Sequence, residues 1–168
     1  EISVEFAGQK KTAKADASGK WSLRLDPLMA SAESRKLTAT GKADRKAEVS
    51  DVLVGDVWLG SGQSNMAMGV SRSKDFEKEK AAASYPLIRH FKEDSGAAAT
   101  VQAQAKGKWL ACTPDNVGGF SATLYFFGRE IHREVGVPVG LINTSVGGTP
   151  IESWIAPEVQ ETKPELSA

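Results

Sequence analysis

Cysteine and histidine are nearly absent: the 168 residues contain one Cys and two His. Cys112 has no second cysteine to pair with, so no internal disulfide can form, and a Cys/His metal cluster lacks ligands. Neither sign of charge is in excess. Lys and Arg total 21, as do Asp and Glu, for a formal net charge of zero. That balance offers no electrostatic reason to expect nucleic acid or an anionic membrane as partner. The basic pairs Lys10-Lys11 and Arg45-Lys46 suit a solvated surface. No apolar stretch approaches the ~20 residues of a membrane-spanning helix. No signal peptide precedes the strand-like opening "EISVEF", and a mature or trimmed terminus would look the same. Internal repeats and low-complexity tracts are also missing.

What is present falls into two styles. Residues 1–50 alternate apolar and polar at close spacing: Ile2, Val4 and Phe6, then Trp21, Leu23 and Leu25 after the turn signal Ala17-Ser18-Gly19, then "RKLTAT". Period-two alternation broken by Gly and Asp predicts short antiparallel strands, part of a small Ig-like β-sandwich. The character changes near Asp51. "VLVGDVWL" is an almost continuous apolar run, the pattern of a strand buried on both faces. Residues 72–83 are charged and Ala-rich, a helix or a surface loop. "PLIRHF" at 86–91 predicts another strand, and 92–108 a loop. From Ser121 the spacing of Leu124, Phe127, Ile131 and Val135 predicts a helix with these on its buried stripe, closed by Gly136 as C-cap. "VPVGLINTSV" is a second buried strand, ending in Gly147-Gly148-Thr149. Strand, helix and strand with glycines at strand ends predict an α/β domain with a parallel sheet over 51–168.

In open α/β sheets ligands bind beyond the carboxyl ends of the strands, and both glycine-rich stretches lie there. In the first, "VWLGSGQSNMAMG", Ser64 would stand where strand turns toward helix, with its hydroxyl exposed and its own N–H available to a developing oxyanion. Gly62-Gln63-Ser64-Asn65-Met66 is not the G-x-S-x-G elbow, since methionine holds the last position. On residue types alone a simple turn is the more ordinary reading, and Ser61 is an equally near rival nucleophile.

The whole string narrows this. "GQSNM" after "VGDVWL", together with "FAGQ", "GKWSLRLDPL", "GGFSATLYFFGREIH" and "VPVGLINTSVGGTPIESW", in that order, resembles the sialate O-acetylesterase family of carbohydrate esterases, within the SGNH-hydrolase superfamily. The blocks span nearly the whole chain. The resemblance implies an SGNH-type α/β sheet, incomplete here, behind the partial sandwich. It assigns the nucleophile to Ser64 rather than Ser61. It implies that Gly147 or Gly148 supplies an oxyanion-hole N–H, without choosing between them. Gln63, Asn65, Thr149, Glu152 and Trp154 are candidate substrate-end residues, Trp154 being equally explained by packing. The implied reaction is hydrolysis of acetyl esters on sugars, sialic acid or plant polysaccharide, through an acyl-serine and without cofactor or metal. It also implies work outside the cytoplasm, extracellular or periplasmic.

Half of that machinery is missing. The family's base and orienting acid come from an Asp-x-x-His block, and a further oxyanion contact from a Gln-Gly-Glu-like segment; neither occurs here. Leu87 and Arg129 stand three residues before His90 and His132. His132 is expected at the surface of the helix, and His90 in a structural role. The expectation is therefore a fragment or subunit that carries the nucleophile, completed by a second polypeptide with the Asp-x-x-His block, the polar stretch 158–168 being a suitable place for a break. The competing expectation is a non-catalytic carbohydrate-binding or scaffold module of the same fold.

Overall fold

The computed structural model describes residues 1–163 except 95, 97 and 99, with the side chain of 44 also left out. The chain divides into two compact units, Glu1–Asp56 and the residues from Val57 onward.

The first unit is an antiparallel sheet of β1 (Ile2–Phe6), β2 (Gln9–Ala13), β3 (Ser31–Thr40) and β4 (Lys46–Val54), in the order β2-β1-β3-β4. β1 and β2 pair from Ile2↔Ala13 to Phe6↔Gln9. Val4 and Phe6 are buried, as the alternation requires. The stretch Trp21–Leu25 departs from expectation: it forms no strand. Leu23 and Leu25 do turn inward while Ser22 and Arg24 are exposed, so the alternation is real. What it lacks is a ladder. The Gln9 carboxamide takes its place, donating to Asp26 O (3.2 Å) and accepting from Asp26 N (2.9 Å), and Lys11 Nζ pairs with the Asp26 carboxylate. One-sided burial produces period two whether or not a strand partner is present.

The run "VLVGDVWL" is a second departure. It is two strands in two sheets, broken by a bend at Gly55: β4 ends at Val54 and β5 (Asp56–Gly62) begins the next sheet. Nor is β5 buried on both faces. Val57 is 63% and Leu59 67% exposed, both on the same face of the strand, and β5 lies at the edge of its sheet.

After β5 come a one-turn helix α1 (Ser64–Ala67), α2 (Phe76–Ala82), β6 (Tyr85–Lys92), β7 (Trp109–Cys112), α3 (Ala122–Val135), β8 (Val139–Ser145) and a one-turn α4 (Pro157–Gln160). The sheet order is β5-β8-β6-β7; β6 and β8 are parallel, Ile88 facing Val139 and Lys92 facing Asn143, while β7 runs antiparallel to β6. β7 lies just beyond the expected loop, whose described residues 93–108 carry neither helix nor strand. Of the expected exposed tail, α4 is folded and 164–168 lie outside the described residues.

The core lies between α3 and the sheet: Tyr125, Leu124 and Phe120 against Ile88, Leu141, Val139 and Cys112. Two glycines set the approach. A Cβ at Gly60 would fall 2.6 Å from Leu124 Cδ2, and one at Gly128 2.8 Å from Leu141 Cδ2, so at each contact a glycine on one element makes room for a leucine of the other. Ser121 is the N-cap, its Oγ accepting from Leu124 N (3.3 Å), and Gly136 closes the helix at φ 74°. The buried face is Ala122, Leu124, Tyr125 and Gly128; Phe127 and Val135 from the expected stripe are exposed. Phe127 instead meets Trp58 edge-to-face at 5.0 Å. The true stripe runs through Gly128 and Ala122, small residues that a search for large apolar ones passes over.

Candidate active site

The polypeptide leaves β5 through Gly62 at φ 138°, a conformation rarely open to other residues, and enters α1 with Gln63 as N-cap and Ser64 as the first helical residue. Gln63, Ser64 and Asn65 are all exposed. Ser61 stays within β5. The second glycine loop, after β8, is tied to the first by Val146 N donating to Gly62 O at 3.0 Å. This brings Gly147 against the serine: a Cβ built on Gly147 would lie 3.5 Å from Ser64 Oγ and 3.9 Å from its Cα. Gly148, at φ 79°, faces open space instead. Of the two glycines, the structure thus sets Gly147 beside Ser64.

Thr149 and Trp154 serve this loop from within. Thr149 Oγ1 donates to Val146 O (2.8 Å), closing the turn around Gly147-Gly148, and receives the Trp154 indole N–H (2.9 Å). Glu152 sits in the short helical turn Ile151–Trp154, its carbonyl held by Gln160 Nε2 (2.8 Å). The polar atoms of Thr149 and Trp154 are engaged with the loop itself.

A one-turn helix cannot hold its own carbonyls. Here the start of α3 does so. Thr123 Oγ1 donates to Asn65 O (3.2 Å), Ser121 Oγ to Met66 O (2.7 Å) and Ala122 N to Met68 O (2.8 Å). From β8, the buried Asn143 adds a second donor to Met66 O, through Nδ2 at 3.2 Å. Ser121 and Asn143 were not among the residues singled out by sequence. A signal existed: Asn143 is a polar residue inside an apolar strand, at the inward phase set by Val139 and Leu141.

Neither histidine serves Ser64. His90 is buried in the core, stacked on Phe120 at 4.6 Å, with Nε2 accepting from Ser121 N (3.3 Å). Burial, aided by Lys92, holds its pKa down at about 4, so the ring is neutral. His132 is half-buried rather than a free surface residue: its Nδ1 donates to Val137 O at 2.7 Å and fastens the end of α3. Cys112 is fully buried and its thiol is pushed up to about 11 by burial, which keeps it protonated and unreactive. Among the described residues no three His, Cys, Asp or Glu side chains gather as a metal site, and no helix is long and apolar enough to cross a membrane.

An exposed serine at a strand-to-helix turn, beside a glycine loop at the end of the neighbouring strand, defines the class: an α/β protein with a candidate site at the carboxyl ends of its strands. Comparison narrows it. The family model described as "Carbohydrate esterase, sialic acid-specific acetylesterase" matches residues 54–163. Sialate O-acetylesterase of Rattus norvegicus is 34% identical over 157 residues, covering 87% of this chain and 29% of that protein. The Homo sapiens protein of the same name is 33% identical over 162 residues, covering 87% and 30%. A solved carbohydrate acetylesterase from Xanthomonas citri superposes with a TM-score of 0.90 at 37% identity, over 99% of this chain and 38% of that one. The chain belongs to the sialic acid-specific acetylesterase family of carbohydrate esterases. It spans less than a third of the length of the mammalian relatives.

Proposed function

We propose that this chain is the nucleophile-bearing part of a carbohydrate O-acetylesterase. The observation that carries the reading is the placement of Gly147 beside Ser64 on an exposed turn. Ser64 Oγ attacks the acetyl carbonyl. The oxyanion is held by the N–H groups of Ser64 and Gly147, and water then releases acetate from the acyl-enzyme. The histidine base and its aspartate come from a further polypeptide segment, the Asp-x-x-His block of the family. Three observations support this. Both histidines of the chain are engaged elsewhere. The relatives are far longer. The sheet face opposite α3 is apolar and uncovered: Val57 and Trp109 flank Gly140 on that face, Phe91 packs on Trp109 at 5.5 Å, and Leu59 follows Val57 in phase. The substrate class is an acetylated sugar, on sialic acid or a polysaccharide, and the site of work lies outside the cytoplasm.

In the assembled enzyme Ser64→Ala should lower acetate release by about 10⁴-fold or more while leaving assembly intact. Unchanged turnover would remove Ser64 from the mechanism. A fluorophosphonate probe should label Ser64 in the wild type. A complete assembly that resists the probe, beside a control serine esterase that reacts, would make the protein a binding or scaffold module.

A further inference from the structure

Asn143 lies inside the fold, 3% exposed, on the strand face where β8 otherwise presents Val139 and Leu141 to the core. An apolar residue would satisfy that position at no desolvation cost, so a buried carboxamide there calls for a reason. Its hydrogen bonds supply one. Nδ2 donates to Met66 O (3.2 Å), two residues beyond Ser64. Oδ1 accepts from both Ser145 N (3.1 Å) and Ser145 Oγ (2.6 Å), two residues before Gly147. We propose that Asn143 is the positioning residue that sets the spacing between Ser64 and Gly147, by clamping the nucleophile turn to the glycine loop. The inference rests on the esterase reading of Ser64.

The chemistry requires a carboxamide. A backbone carbonyl can only accept and a backbone N–H can only donate, so the group between Met66 O and Ser145 N must donate at one end and accept at the other. Asn does both in one orientation; flipping the amide would set oxygen against oxygen and nitrogen against nitrogen. Asp keeps the acceptor and the shape but cannot donate, and when ionised it turns a negative oxygen on Met66 O. Leu makes neither bond. On the turn side the clamp is reinforced, since Ser121 Oγ also donates to Met66 O at 2.7 Å. On the loop side Val146 N to Gly62 O (3.0 Å) joins the same two segments one residue further on. Asn143 reaches both from within the core. Two reacting groups brought from separate loops depend on such a strut, because displacements near 1 Å cost about 10²-fold in rate.

The test uses the assembled, active protein and counts competent sites by fluorophosphonate titration of Ser64. Asn143→Asp should lower kcat per titrated site by about 10²-fold with KM within about threefold, and slow phosphonylation of Ser64 in parallel. Ser145→Ala, which removes only the Oγ arm and keeps the backbone arm, should lower kcat per site by a smaller factor, about three- to tenfold. A residue that merely stabilises the fold would reduce the number of titratable sites and leave kcat per site unchanged; that result overturns the inference. Should Asn143→Asp fail to fold, Ser145→Ala decides alone, with unchanged kcat per site again counting against it. Wild-type protein that neither labels at Ser64 nor depends on it sinks the esterase reading and this inference together. A labelled wild type with unaltered variants sinks only the inference.

Discussion

Protonation is the event that the fold around His90 does not accommodate. Its Nε2 must stay unprotonated to accept from Ser121 N, and the ring lies stacked on Phe120. The pKa is about 4 in the folded protein against an ordinary 6.5. Because the folded value is the lower one, the unfolded chain binds more protons between them, and stability falls as pH drops from 6.5 toward 4. Urea midpoints for the second unit should therefore fall across that window, and a His90→Phe variant should show a shallower fall. The two glycines separate at the same scale. Gly147→Ala would put a methyl 3.5 Å from Ser64 Oγ, so it should lower acetate release by about tenfold or more at nearly unchanged Tm. Gly148→Ala meets no neighbour but forces an L-residue to φ 79°, so its cost, roughly 1–2 kcal/mol, should appear in the melt. Activity and thermal melts on the two variants distinguish the roles.

At the scale of elements, α1 exists because α3 and β8 hold its carbonyls, not because "SNMA" favours a helix. The placement of α3 matters in turn, and Gly128 controls it. Ala is the better helix former by ~1 kcal/mol, but a Cβ there would lie 2.8 Å from Leu141 Cδ2, and overpacking costs ~1–3 kcal/mol. Gly128→Ala should thus be destabilising on balance despite the propensity gain, by ~1 kcal/mol, read as a lowered Tm. Element identity was largely legible beforehand: β6, α3 and β8 fall where periodicity puts them, and Gly136 caps where expected. Which face of α3 is buried was not, since the interface uses Gly and Ala, and neither stands out in a hydrophobic pattern.

At the scale of the molecule, the second unit covers its sheet on one side only. Val57, Leu59 and Trp109 stay 63%, 67% and 46% exposed. Apolar surface of that kind marks an interaction site. The chain of residues 1–168 alone should bind an anilinonaphthalene sulfonate dye with a marked rise in fluorescence, and the polypeptide segment proposed above to carry the Asp-x-x-His block should reverse it. A Val57→Lys/Leu59→Lys variant should stay folded, bind less dye and fail to assemble. Dye fluorescence that complementation leaves unchanged would mean that another partner covers this face.

The sequence by itself determined the class of fold through its strand and helix periods and, through the resemblance of its ordered motif blocks, the family and the turn on which Ser64 stands, because periods and short motifs are local properties. It also showed that Asp-x-x-His is absent. Only the tertiary structure split "VLVGDVWL" between two sheets, left β5 at an edge, set Gly147 rather than Gly148 beside Ser64 and revealed Asn143 between their loops. Those facts depend on which strand neighbours which. Residues 64, 143 and 147 meet through strand order and helix packing, and no spacing along the chain encodes that meeting.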